Sequence, residues 1–501
     1  MSNEDAAADT QPAADDPFEV RRAKLETVRA AGLEPYRDRY ERTHTTEALI
    51  TAWSGLAPGS GTDDVVSVAG RVVAKRDQGK AIFFVIRDGT GELQLFCRLN
   101  VLGEAAFAEV AELDLGDWVG ARGTVCRTRR GELSVVPTEV ILLSKSLRPL
   151  PDKFHGLTDV ETRYRQRYVD LIANPEVRVT FETRFRIISA IRRYMESRGY
   201  VEVETPMLHP IPGGATARPF VTHHNALDME FYLRIAPELY LKRLLVGGFE
   251  RVYEINRSFR NEGISVRHNP EFTMLEAYEA FTNIEGMMDL TEGIVAAAAI
   301  AARDTLEITY QGAEVDLTPP YPRRTMISLV SEAAGEDVSF QRSLEDLRSL
   351  CAQHEIPVEA SWGVGKLITE LFEKLVEHTL VQPTFVTEYP LETSPLARRK
   401  PGEPELTERF ELIITGREFA NAFSELIDPV DQRERFAAQI TAKADGDVEA
   451  MGYDEDYLRA MEYGMPPAGG MGIGVDRLVM LLTDSASIRD VLLFPHLRPE
   501  A

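Results

Sequence analysis

At 501 residues with 44% hydrophobic side chains, the chain can bury more than one core and divides into two or three domains. Its formal charge of -24 excludes indiscriminate nucleic-acid binding, because phosphates repel such a surface, so any nucleic-acid partner must meet a local basic patch. No run of about 18 apolar residues occurs, and residues 1–17, rich in Ala and Asp, lack the basic-then-apolar order of a signal peptide, which predicts a cytoplasmic protein with no membrane partner. Cys97, Cys126 and Cys351 are too few and too far apart for a disulfide framework or a zinc ribbon.

Residues 1–17 read as a disordered acidic tail. In the helical segment 18–63, Val20, Ala23, Leu25 and Val28 predict a helix from Glu19 to Ala30 that stops near Gly32. From residue 64 to 148 the texture changes to five short strands, Val66–Val73, Ile82–Ile86, Leu93–Phe96, Trp118–Thr124 and Leu133–Ile141, with turns at Asp88-Gly89, Thr90-Gly91 and Arg130-Gly131. Five strands in about 80 residues predict a small barrel. Phe83 near Arg71, Lys75, Arg76 and Lys80, with Gln94 on the next strand, matches the way an OB-type barrel stacks and reads single-stranded bases. The other reading of Phe83 is core packing, and the runs of basic residues, including Arg122, Arg127, Arg129 and Arg130, can equally be a solvated face.

Pro149 and Pro151 mark a linker to a second domain at 149–501. Phe181, Phe185, Ile188, Ile191 and Met195 have helical spacing, Gly199 stands where a C-cap glycine belongs, and Tyr200–Val203 alternates toward Pro206. Two strand patterns then flank the loop from Arg260 to Pro270, and in the second, Phe272, Met274, Glu276 and Tyr278 share one face. Arg260, Arg267 and His268 in that loop suit a triphosphate, since guanidinium forks match phosphate oxygens; Phe272 either stacks on a base or fills the core. Ile294–Ala302, Ser343–Leu350 and Leu367–Leu380 predict helices, the last two within a helical insertion around 325–385.

A two-residue turn at Thr415-Gly416 puts Glu411 and Glu418 on one face of a hairpin, a plausible Mg²⁺ site because magnesium takes one or two carboxylates plus phosphate oxygens. Asn421, Phe423 and Glu425 have the opposite parity, and reach the same pocket only if the strand contains a bulge. Lastly, glycines from Gly469 to Gly474 let backbone approach a ligand, and Arg477 at the start of the following helix makes a seat for anionic phosphate; close strand–helix packing explains the glycines as well.

In order, the helix–strand–proline ending at Pro206, the stretch Phe259–Glu276 and the run Gly472–Arg477 resemble motifs 1, 2 and 3 of class II aminoacyl-tRNA synthetases. Arg234–Lys242, Pro212-Gly213-Gly214-Ala215 and Asn421–Leu426 are most similar to the bacterial lysyl-tRNA synthetase family. The resemblance implies an α+β protein: an OB-fold anticodon-binding domain followed by a catalytic domain whose antiparallel sheet is flanked by helices. It implies ATP, L-lysine and tRNA(Lys) as substrates, Mg²⁺ as cofactor, a homodimer, and no DNA partner. By resemblance, Arg260 and Arg477 are catalytic, Glu262, His268, Asn269 and Phe272 bind ATP with them, and Glu411 with Glu418 holds Mg²⁺. Gly214, Glu238, Glu276, Tyr278, Asn421, Phe423 and Glu425 form the lysine pocket, and Phe83, Gln94 and Arg71 meet the anticodon. The acidic set Glu238, Glu276 and Glu425 suits the two ammonium groups of lysine and repels aspartate. A paralogue that passes lysine to a non-tRNA acceptor, and a silent RNA-binding homologue, are the alternatives.

Overall fold

The computed structural model describes residues 16–151, 157–444 and 451–499. They form two compact units that divide between Thr158 and Asp159. The expectation for the tail falls outside the described residues up to 15. Its last residue, Pro17, already belongs to helix α1 (Pro17–Ala30) and is preorganised for the first turn, and Asp16 before it caps the helix by accepting from the Phe18 N–H at 2.9 Å.

In the first unit, β1 (Gly61–Asp77), β2 (Ala81–Arg87), β3 (Glu92–Arg98), β4 (Trp118–Arg127) and β5 (Leu133–Ser144) close a barrel in the order β1-β2-β3-β5-β4. The strands outrun their apolar cores in sequence because ladder hydrogen bonds continue past the buried residues. Alternation along β2 buries Ile82, Phe84 and Ile86 and leaves Phe83 half-buried on the outside, so Phe84 is the core aromatic. Gly123 is required at the irregularity in the antiparallel pairing of β4 with β5, since a Cβ there would lie 2.0 Å from the Val136 carbonyl oxygen. The connection from 34 to 60 also contains a helix, α2 (Thr46–Ala52), whose start is fixed by the Thr45 side chain accepting from the Ala48 N–H.

The second unit is built on β6 (Val201–Glu202), β7 (Arg251–Phe259), β8 (Glu271–Ala280), β9 (Arg323–Thr325), β10 (Thr384–Thr387), β11 (Arg409–Ile414), β12 (Arg417–Ser424) and β13 (Ala468–Gly474). Their order in the sheet is β9-β10-β11-β12-β13-β8-β7-β6, antiparallel except for the two edge pairs. Period two sorts this sheet into two faces. Leu275, Ala277, Phe410, Leu412, Ala420, Met471 and Ile473 point into one core shared with α3 (Pro175–Ser197). Further along, α4 (Glu238–Val246) follows the Arg234 turn, α5 (Ile284–Arg303) packs on the same core, and α6 (Met326–Ala334), α7 (Leu344–Gln353) and α8 (Val364–Leu375) make a helical insertion with its own core against Val386 and Ile413. The last predicted helix thus ends at Leu375, and a 3-10 turn over Glu377–Thr379 completes the segment. The strand expected over Tyr200–Val203 shrinks to Val201–Glu202, paired only with β7, because Tyr200 turns into the core and donates from its hydroxyl to Glu279. Gly199 has φ +79°, as its place after α3 requires.

Candidate functional site

The opposite face of the sheet forms the floor of a cleft. On β13 the glycines alternate with core residues: Met471 and Ile473 point inward, while Gly470, Gly472 and Gly474 face the cleft opposite Tyr278, Glu276 and Met274 of β8. A Cβ on Gly470 would lie 2.1 Å from Glu425 Oε1 and 2.4 Å from the Tyr278 ring. The glycine run is therefore a groove in the sheet into which neighbouring side chains lean, as well as a packing device.

β12 carries the bulge that would bring residues of opposite parity to the cleft. Ile413 lies opposite Glu418, but Leu412 lies opposite Ala420, so Phe419 is the extra residue and turns into the core. The slip of one residue brings Glu418, Asn421 and Phe423 to the face that carries Glu411, and all three line the cleft. Thr415 and Gly416 both have positive φ, the conformation of the tight hairpin turn.

One end of the cleft is buried and acidic. Glu238 starts α4, Glu276 and Tyr278 stand side by side on β8, and Glu425 follows β12. All four are buried, and the Tyr278 hydroxyl donates to Glu276 Oε2 at 3.1 Å. Burial pushes the Glu276 carboxyl up to about 8, with the charge of Glu238 acting in the same direction and the Tyr278 hydrogen bond opposing it. Burial also raises Glu425 to about 8, against the pull of the Lys242 ammonium. Gly214 approaches from above with φ +88°, where a Cβ would meet the Cβ atoms of Glu238 and Ala236 at 3.2 and 3.3 Å.

Three residues in and around the cleft were not recognisable from sequence as parts of the site. Lys242 is fully enclosed, donates to Glu238 Oε1 at 2.7 Å and touches Glu425 Oε2. The i,i+4 spacing of Glu238 and Lys242 was the available signal, but on an ordinary helix it marks a solvated pair. Arg409 donates to Asn421 Oδ1 at 2.9 Å and to Glu411 Oε1 at 2.6 Å, so it joins the acidic end to the hairpin carboxylates. Asp476 accepts from Arg184 of α3 at 2.6 Å and from the Thr273 N–H at 2.7 Å, which locks three distant segments behind the cleft and sets the start of the helix carrying Arg477.

The other end is open and basic. α9 (Val475–Thr483) presents Arg477 in its first turn, where its guanidinium donates to the Glu418 carbonyl oxygen at 2.6 Å. Arg260 lies over the Phe272 ring at 5.2 Å, and Phe272 lines the cleft, which excludes the core reading for that residue. Glu262, Arg267 and His268 are exposed at the rim; Asn269 is buried and ties the loop together by donating to the Glu271 carbonyl and accepting from the His496 N–H. Glu411 and Glu418 are the candidate metal ligands. Burial, then the neighbouring charge of Glu418, raises Glu411 to about 7 in spite of Arg409. Two hard oxygen donors held close enough to repel one another fit a small divalent cation that takes its remaining ligands from phosphates and water.

On the barrel, Phe83 stacks on Phe96 with centroids 4.6 Å apart, and Arg76 lies over Phe83 at 5.7 Å. Arg76 also donates to Gln94 at 3.2 Å, while the buried Gln94 amide donates to Ser134. Arg71 does not join this group. It pairs with Arg87 further along the strands, lies over Trp118 and donates to the Gly116 carbonyl, so Arg76 is the cation beside Phe83.

Comparison with known proteins gives the same division. Residues 66–143 match the OB-fold nucleic acid binding domain, and residues 159–498 match the family described as tRNA synthetases class II (D, K and N). The chain is 56% identical over 480 residues to the lysine–tRNA ligase of Carboxydothermus hydrogenoformans, covering 96% of this chain and 97% of that one. It is 55% identical to the lysine–tRNA ligase of Moorella thermoacetica, over 97% of this chain and 99% of that one, and 52% identical to that of Shouchella clausii, over 96% of each.

Proposed function

The chain belongs to the class II tRNA synthetases, and from that premise we propose that it is a lysine–tRNA ligase, activating L-lysine with ATP and transferring it to the 3′ end of tRNA(Lys). The observation that carries the choice of amino acid is the convergence of Glu238, Glu276 and Glu425 at the closed end of the cleft. Such an end takes a substrate with two ammonium groups and repels a second carboxylate. Gly214, Tyr278, Asn421 and Phe423 complete this pocket.

Arg260, Glu262, His268, Asn269, Phe272 and Arg477 bind ATP at the open end, with Phe272 against adenine. The lysine carboxylate attacks the α-phosphorus, the bond to the bridging oxygen breaks, and pyrophosphate leaves. The terminal ribose hydroxyl of tRNA then attacks the lysyl carbonyl and AMP departs. No side-chain nucleophile is needed; Arg260 and Arg477 stabilise the charge that develops during displacement, and the fixed pocket supplies orientation. Mg²⁺, held by Glu411 and Glu418, neutralises charge on the phosphates when bound.

On the barrel, Phe83 with Arg76 and Gln94 offers a stacking platform for an anticodon base. A homodimer is supported by the exposed apolar residues Val179 and Phe185 on α3 and Val201 beside it. Among the described residues no helix is long and apolar enough to cross a membrane, and the reaction is assigned to the cytoplasm, where tRNA and ATP meet. The test is ATP–pyrophosphate exchange with each of the twenty amino acids. Exchange with lysine alone is expected. Comparable exchange with aspartate or asparagine refutes the pocket assignment, and exchange with none refutes the enzyme.

A further inference from the structure

Lys242 is a cation enclosed among the carboxylates of the acidic end. Its side chain has 0% exposure, as has that of Glu425, and Glu238 has 8%. The ammonium is shared between a carboxylate from α4 and one from the end of β12, elements far apart in sequence. The rings of Phe423 and Tyr457 lie 5.5 and 5.9 Å from Nζ and close the cage around it. Burial opposes a charge on Lys242, but Glu238 and Glu425 outweigh it and hold the ammonium well above its ordinary range.

The geometry divides the carboxylate oxygens into two sets. Glu238 Oε1 and Glu425 Oε2 face Lys242. Glu425 Oε1 instead stands above Gly470, beside the Tyr278 ring; neither oxygen of Glu425 has a hydrogen-bond partner among the described residues, but Oε2 has the Lys242 ammonium against it. Glu238, Gly470 and Tyr278 all line the cleft, whereas Lys242 and Glu425 lie outside its lining, Glu425 meeting it through the Oε1 above Gly470. A buried carboxylate oxygen without a partner is costly unless a ligand satisfies it.

We propose that Lys242 is a specificity-determining positioning residue: a resident ammonium that ties down one oxygen each of Glu238 and Glu425 and presents the other oxygen of each to the substrate. This rests on the reading of the acidic end as the lysine pocket. Three carboxylates without Lys242 would carry one negative charge more than the two ammonium groups of lysine can match. With it, the three carboxylates, once ionised as lysine binds, leave two negative charges for those two groups. Lys242 touches no part of the substrate and acts only through its two partners.

The experiment measures KM for lysine and for ATP in pyrophosphate exchange by the full-length protein and by K242M, which keeps most of the length and loses the charge. Exchange by the unaltered protein tests the lysine reading by itself, and failure there overturns that reading and the proposal with it. With that reading in place, K242M is expected to raise the lysine KM by at least about tenfold, the range for truncating one partner of a buried charge pair, with the ATP KM changed less than about twofold. In K242A, propylammonium added to the assay should lower the lysine KM again, and propanol should not. An unchanged lysine KM, or equal losses for both substrates, overturns the proposal and leaves Lys242 as a structural residue. Should these variants not fold, K242Q, which keeps a polar head and loses the charge, is expected to raise the lysine KM several-fold with the ATP KM unmoved; a normal lysine KM in folded K242Q overturns the proposal equally.

Discussion

The two ends of the cleft are made from the same strands but by opposite means. At the acidic end Glu238, Glu276, Tyr278 and Glu425 are buried, rest against glycine backbone, and hold ionisable groups away from their ordinary pKa values. At the basic end Glu262, Arg267 and His268 lie exposed on a loop, and Arg260 and Phe272 are half-buried. A phosphate chain is large, highly charged and shared by every nucleotide, so long arginines on an open rim can grip it without close fit. An amino acid must be told from nineteen others of similar size, and only buried groups, which lose much when left unmatched, discriminate at that level.

Arg260→Ala should break the contrast most severely on the nucleotide side. A preorganised donor to a developing charge is worth about a hundredfold or more in rate, so single-turnover adenylation is expected to fall by that factor with little change in ATP affinity. A normal single-turnover rate with weakened ATP binding would make Arg260 a ground-state ligand, and move the burden to Arg477.

On the acidic side Gly470→Ala is the sharper probe, since its Cβ would collide with Glu425 Oε1 and the Tyr278 ring. Overpacking of this kind costs about 1–3 kcal/mol, so lysine affinity should drop by up to on the order of a hundredfold with ATP affinity retained. Glu425→Gln removes a charge-assisted contact worth about 1.5–3 kcal/mol and should likewise raise the lysine KM selectively; equal losses for ATP would show that the two ends are not independent.

The raised carboxyls set a pH dependence. Glu276 and Glu425 sit at about 8 in the free protein against 4.5 ordinarily, so folding is favoured by their protonated forms; that contribution is complete below about 4.5 and is lost as pH rises through 8. Lysine needs them ionised. Its binding must therefore release protons below pH 8 and strengthen toward pH 8, by up to about tenfold per unit for each linked proton. Calorimetry in buffers of different ionisation enthalpy reads this directly, and lysine binding without proton release between pH 6 and 8 would contradict the raised values. The smallest effect is expected for Gly472→Ala, whose Cβ would meet only the flexible end of Met274 at 3.2 Å and Glu276 Cγ at 3.7 Å, so a change of no more than about threefold in either KM is predicted.

Much of this was legible in the chain itself. Period-two alternation placed Phe272, Met274, Glu276 and Tyr278 on one face, because strand geometry sends alternate side chains to opposite sides whatever the tertiary setting. Parity across the Thr415-Gly416 turn let Asn421 and Phe423 share the face of Glu411 only through a bulge, and the register has one at Phe419. The barrel was readable from five short strands and their turns for the same local reason. What sequence could not decide was which residues meet across elements. Whether Phe83 or Phe84 was core, whether Arg71 or Arg76 stood beside the ring, and that Lys242, Arg409 and Asp476 belong to the site, all depended on strand pairing, burial and the meeting of segments remote along the chain. Periodicity is a property of neighbours in sequence and survives without the rest of the fold; charge pairing is a property of neighbours in space, and a lysine four residues from a glutamate becomes the counterion of a buried pocket only when a distant strand brings the second carboxylate to it.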